Sequence, residues 1–273
     1  IEDHYKPRFA GDELPRNPPG AVVAVADKLE TLVGLFAIDQ LPTGDKDPFA
    51  LRRHALGVLR ILTERLPALA LDRALLAATS APLWPAAAAA ATRGADGAPP
   101  PVLAPLLAFF ADRLAASLAD RGYTAAEIAA VLADDRFRQL AEVEPRLLAL
   151  RQFAALPEAA SLAAANKRVG NILKKATGPV GMEVDAALLR EPAEAALDAA
   201  LREVGPRADV ALATRDYAGA LRALAALRAP VDAFFDAVMV NVDDAALRAN
   251  RLALLGRLHA AMNRVADLSR LAG

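Results

Sequence analysis

A chain of 273 residues, 55% hydrophobic but only 5% aromatic, holds apolar material for one large or two ordinary domains with cores of Ala, Leu and Val. The absence of cysteine excludes disulfides and thiolate zinc sites and fits a reducing, cytoplasmic setting. A net charge of −1 argues against general affinity for nucleic acid, although the charges are segregated along the chain.

No apolar run approaches the ~20 uncharged residues of a membrane span, and no signal peptide opens the sequence. Residue 1 is Ile, which reads as an interior start of something longer. Residues 1–20, with Pro7, Pro15, Pro18 and Pro19, read as an extended lead-in. Helical periodicity begins at Ala21–Ile38, where Val22, Val25, Leu29, Leu32 and Phe36 share one side. Asp47-Pro48 predicts the start of a helix running to Leu66, because an acidic cap precedes a proline whose missing N–H costs nothing there. Asp72–Ala78 and Ala86–Ala91 are shorter helices, separated by Pro82 and Pro85, and Thr92–Pro101 is a loop. Val102–Arg121 is an amphipathic helix ended by Gly122. Thr124 caps Ala125–Ala133, with Glu127 at the capping-box position. Helices follow at Arg136–Leu140, Glu144–Ala154, Pro157–Lys175, Pro192–Arg207, Tyr217–Ala225, Pro230–Val238 and Asp244–Leu271. Val238–Val242 is the best strand candidate and is too short to found a sheet. The fold class is therefore all-α, divided near residue 155.

Two helices carry excess positive charge. In Leu162–Ala176 the apolar stripe is Leu162, Ala165, Val169, Ile172, Leu173 and Ala176. Lys167, Asn171 and Lys174 lie opposite it, with Arg168 and Lys175 beside them. A charge run usually marks a solvated face, but this one has no acid to balance its four cations. In the C-terminal helix Leu247, Leu254, Leu258, Met262 and Val265 mark the core side, and Asn250, Arg257 and Arg264 recur every seven residues on another face. Arginine suits bidentate contacts with phosphates or base edges. Arg251 falls inside the apolar stripe and reads as a buried arginine paired with a carboxylate, Asp243 or Asp244. Glu183–Glu203, between the two basic segments, is mostly acidic.

Three separated stretches share their order with one family. ADKLETLVGLFAI (Ala26–Ile38) followed by GDKDPFALRRHAL (Gly44–Leu56), then AAANKRVGNIL (Ala163–Leu173), then PVDAFFDAVMVNVDDAALRANRLALL (Pro230–Leu255), resemble the β subunit of the bacterial two-subunit glycyl-tRNA synthetase. The resemblance, to the C-terminal portion of that subunit, implies the C-terminal part of an HD-like helical domain with connecting helices over residues 1–155 and a DALR-type anticodon-binding bundle over 156–273. It implies tRNA(Gly) and the synthetase α subunit, in an α2β2 assembly, as partners. It assigns Lys167, Arg168, Asn171, Lys174, Lys175, Asn250, Arg257 and Arg264 to tRNA, with Arg251–Asp244 as a structural ion pair. Asp27 occupies the place of the last carboxylate of an HD metal site. The family's upstream His-Asp pair is missing, however, and Asp27 beside Lys28 reads as a salt-bridged helix residue. At Asp39 the family usually has glycine.

Catalysis has no candidate residue. No P-loop, dinucleotide fingerprint or nucleophile elbow occurs, and His4, His54 and His259 are widely separated without metal-ligand spacing. In the resembled enzyme ATP and magnesium are used by the α subunit, so no metal or cofactor is expected in this segment. Two other classes compete: an HD-type metal phosphohydrolase remnant, which needs histidine ligands absent here, and a helical protein-binding scaffold.

Overall fold

The computed structural model describes residues 2–9, 11–44, 46–80, 97–176 and 178–272. The helix expected at Ala86–Ala91 lies outside them. Among the described residues no strand forms, only an isolated antiparallel bridge between Thr43 and Lys46. The fold is all-α. Backbone contacts divide it into two compact units, residues 1–123 with 134–143, and residues 124–133 with 144–273. The division expected at residue 155 thus falls earlier, because one short helix and most of the next pack with the C-terminal half.

In the first unit α1 (Pro18–Ala37) packs against α2 (Leu51–Glu64), α3 (Leu71–Thr79) and α4 (Leu103–Asp120). Leu32, Ile61, Leu62, Leu71, Leu75, Leu106 and Phe110 are fully buried there. The supposed lead-in already starts α1: the Asn17 side chain accepts from the N–H of Gly20 at 2.8 Å, and Pro18 and Pro19 fill the first helical positions. Helix α2 begins three residues later than Pro48. Asp47 still caps it, accepting from the N–H groups of Leu51 and Arg52 at 2.8 and 3.0 Å across a turn with Ala50 at φ +55°. Asp39 has φ +58°, the left-handed region that favours glycine, which gives the family's glycine a physical reason.

Ahead of α1 the chain folds into a polar knot. Asp3, Lys6 and Asp12 are buried. Asp3 accepts from the backbone and side chain of Arg16 at 3.0 and 3.1 Å, and Asp12 from those of Arg8 at 2.7 and 3.1 Å. Arg16 and Arg8 respectively hold these two carboxyls down at about 2. Because each pKa is depressed on folding, the stabilisation is complete above the ordinary aspartate value of 3.8 and is lost as pH falls toward 2. Asp3→Asn should therefore lower the urea midpoint at pH 5, and the gap from the parent chain should close as pH approaches 2.

The second unit contains α5 (Ala125–Leu132), the C-terminal part of α6 (Leu140–Ala154), α7 (Ala159–Lys174), α8 (Pro192–Ala213), α9 (Tyr217–Leu224), α10 (Arg228–Ala237) and α11 (Ala245–Met262). The capping box forms at α5: Thr124 N–H donates to Glu127 at 2.7 Å, and Glu127 N–H donates to the Thr124 hydroxyl at 3.2 Å. Helix α8 packs against α9, α10 and α11, while α7 packs against α10, α11 and the 3-10 turn Leu268–Leu271. Leu162, Val169, Leu197, Phe234, Leu254, Leu258 and Met262 form the core. Val238–Val242 is irregular chain leading into α11. The expected long C-terminal helix stops at Met262. There the Asn263 amide donates to the carbonyl of His259 at 2.7 Å, exchanges hydrogen bonds with buried Asn166, and accepts from Leu268 N–H at 3.2 Å.

Candidate nucleic-acid interface

Helix α7 turns its apolar stripe inward, with Leu162, Ala165 and Val169 buried. Lys167, Arg168, Asn171, Lys174 and Lys175 are therefore exposed. Four of these five, all but Lys174, line a cleft of about 1010 Å³ closed on the other side by Gly178–Gly181, Asn241–Asp243 and the first turn of α11. Lys167, Arg168, Lys175 and Arg248 give it four cations against the single carboxylate of Asp243. Asn171 and Asn241 add amides able to pair with base edges. Two of the cations are held in place. The Arg168 guanidinium stacks over the Phe235 ring, 4.1 Å from its centre, and Arg248 donates to the carbonyl of Val242 at 2.6 Å. The Lys167 ammonium donates to the carbonyl of Ala272 at 3.3 Å.

Other polar side chains on and just after α11 have protein partners. Arg251 and Glu194 of α8 form a buried pair, Nε to Oε1 2.6 Å, and Arg251 also donates to the carbonyl of Met239 at 2.7 Å. Arg257 donates to Asp198 at 2.6 Å, and Arg264 pairs with Asp209. Two arginine–carboxylate pairs thus join α8 and α11, and a third, exposed pair joins α8 to Arg264 just past the end of α11. Asn250 is 5% exposed and donates to the carbonyl of Asp185 while accepting from its N–H, at 3.1 and 2.8 Å.

A family model described as glycyl-tRNA synthetase beta subunit matches residues 1–133, and one described as DALR anticodon binding domain matches residues 162–268. All of the chain aligns, at 62% identity over 272 residues, with the glycine–tRNA ligase beta subunit of Leptothrix cholodnii, covering 36% of that protein. The chain belongs to the glycyl-tRNA synthetase β-subunit family. The beta subunits of Dechloromonas aromatica and a Janthinobacterium species are each 60% identical, over 99% and 100% of this chain and 36% and 37% of their own lengths. The chain therefore spans little more than a third of the length of the curated relatives it matches.

In this β-subunit chain the whole cleft lies within the stretch that matches the anticodon-binding domain. The structure divides the set of residues expected to face tRNA. Lys167, Arg168, Asn171 and Lys175 share the cleft, and Lys174 is exposed on the same helix outside it. Asn250 is removed from the set, because both its amide groups are spent on Asp185 in the interior. Arg257 pairs with Asp198 of α8, and Arg264, exposed beyond the end of α11, pairs with Asp209, so the single face expected across both helices does not form. Arg251 pairs with Glu194 and not Asp244, whose carboxylate instead caps α11 through the N–H groups of Ala246 and Leu247. Arg248 and Asn241 are the additions. Arg248 falls outside the seven-residue spacing of Asn250, Arg257 and Arg264, so periodicity passes over it. The acidic run Glu183–Glu203, which holds Glu194 and Asp198, is the available sign that Arg251 and Arg257 have partners.

Among the described residues no three His, Cys, Asp or Glu side chains are grouped to hold a metal ion, and no helix is long and apolar enough to cross a membrane.

Proposed function

We propose that this chain is the tRNA-recognition segment of a glycine–tRNA ligase β subunit, and that the cleft beside α7 receives the anticodon end of tRNA(Gly). The observation carrying this reading is the placement of four cations, two amides and one acid in a single cleft inside the anticodon-binding match. Phosphates are drawn by the lysines. Unpaired bases are read by the amides and by the arginines, one of them stacked on an aromatic ring. Glycine activation and transfer, with ATP and magnesium, belong to the α subunit in an α2β2 assembly. The segment itself is non-catalytic, holds no cofactor and works in the cytoplasm.

The test compares binding of tRNA(Gly) with anticodon-substituted versions, using the parent chain and Asn171→Ala, Asn241→Ala and Arg248→Ala variants. The parent chain should prefer tRNA(Gly). A variant that removes a base contact should lose about 1–3 kcal/mol and its discrimination at one anticodon position. Equal binding of all tRNAs by the parent chain would remove the anticodon from this cleft.

A further inference from the structure

The first unit contains a cationic pocket of its own. It measures about 250 Å³, below the ~300 Å³ at which pockets begin to enclose drug-sized ligands, and is lined by Lys28, Arg53, His54, Asp27, Arg8 and Ala50, with Tyr5 and Pro7. Lys28 is only 3% exposed. Its ammonium donates to the carbonyls of His4 and Tyr5, both at 3.5 Å, the long limit for such bonds, and no carboxylate pairs with it among the described residues. Helix α2 makes room for this side chain at Gly57, where an added Cβ would lie 3.0 Å from Lys28 Cε. Beside it the Nδ1 atom of His54 is buried without a hydrogen-bond partner. Arg53 is exposed and makes no ion pair among the described residues. Arg8 is neutralised by Asp12, which leaves Asp27 as the one carboxylate lining the pocket.

A buried ammonium without a counter-ion is costly, and so is an orphaned ring nitrogen. The strain shows in both groups. Burial pushes the Lys28 ammonium below the ordinary lysine value, with Asp27 opposing. Burial, then the charge of Lys28, pushes His54 down, with Arg53 adding to the effect and Asp27 and Asp47 opposing it. An anion in the pocket would relieve both. The ammonium comes from α1 and the guanidinium and imidazole from adjacent positions of α2, so hydrogen-bond donors from two helices line one pocket, and together they suit a multiply charged oxyanion.

We propose that this pocket is an oxyanion site that takes one phosphate group, held by Lys28, Arg53 and His54. The phosphate is that of a nucleic-acid backbone or of a small phosphorylated compound. The site is independent of the cleft in the second unit.

The experiment follows the histidine C2–H resonances of the 273-residue chain by NMR. There are three histidines, and His54→Gln assigns one signal. At fixed ionic strength, phosphate and the permanently charged tetrahedral probe sulfate should each move the His54 titration to higher pH, while chloride leaves it in place. Arg53→Gln, at an exposed position, should reduce the shift with the fold intact. Lys28→Met should abolish it, and if that variant does not fold, Arg53→Gln decides. Movement by added tRNA assigns the phosphate to a nucleic-acid backbone, and movement by the free ions alone assigns it to a small compound. A His54 signal unmoved by phosphate, sulfate and tRNA, an equal response to chloride, or an undiminished shift in Arg53→Gln overturns the site.

Discussion

Replacing Glu194 with alanine is expected to destabilise the chain by about 3–5 kcal/mol, because it leaves the Arg251 guanidinium buried without its counter-charge. Glu194 is fully buried and Arg251 is 5% exposed. The carboxylate also accepts from the backbone N–H groups of Arg190 and Glu191, both at 2.7 Å, so its removal strands three donors at once. Burial pushes the carboxyl up, but Arg251 and those N–H groups outweigh burial and hold it below the ordinary glutamate range. Since the folded pKa is depressed, this stabilisation is present above the ordinary value of 4.5 and is lost as pH falls through the depressed one. Urea unfolding followed by circular dichroism measures the loss. Glu194→Ala combined with Arg251→Met should regain part of it, since the double variant buries no orphan charge. A single variant within about 1 kcal/mol of the parent would mean that the pair is solvated, contrary to its burial.

Removing the cleft cations should have the largest effect on RNA. In the variant Lys167→Gln, Arg168→Gln, Lys175→Gln, Arg248→Gln, the slope of log affinity against log salt should fall by about 1.4 to 1.8 for the two lysine phosphate contacts. Each lost phosphate contact releases fewer counterions, with about 0.7 per contact for a single strand and about 0.9 for a duplex. At 0.1 M salt this corresponds to between about one and two decades of affinity for tRNA(Gly), and the lost arginine base contacts add to it. Arg257→Gln with Arg264→Gln provides the contrast. Those guanidiniums are already paired with Asp198 and Asp209, so their loss should change the salt slope little. Asn250→Ala should likewise act on stability and leave binding intact, because the amide lies inside the protein. A four-residue variant that keeps the parent's slope would show that the cleft is only a solvated surface.

The two arginine sets explain why a chain of net charge −1 can still present a basic site. Acids of α8 pair with Arg251 and Arg257 of α11, Asp198 being shared with Arg202, while α7 and the first turn of α11 place four cations beside the single carboxylate of Asp243. Local charge, not the total, sets the field that a phosphate meets.

The sequence by itself determined the all-α class, the cap of α5 and the outward face of α7. These depend on neighbours within one or two turns: Thr124 and Glu127 are three residues apart, and the 3.6-residue period that buries Leu162 and Val169 turns Lys167 and Asn171 to solvent. The family resemblance, carried by three short motifs, rested on the same local order. Only the tertiary structure decided which arginines of α11 are free. Arg251 meets Glu194 across 57 residues, Arg257 meets Asp198 across 59, and Asn250 meets Asp185 across 65. No periodicity reveals what stands opposite α11 or that the helix ends at Met262, so Asn250, Arg257 and Arg264 read as one exposed stripe although their partners differ. The polar knot before α1 escaped in the same way: its prolines signal irregular chain, while burial of Asp3 and Asp12 arises only once Arg16 and Arg8 fold back onto them. Helix periodicity specifies a direction away from the axis, and packing alone specifies whether that direction leads to water, to a carboxylate or to a ligand.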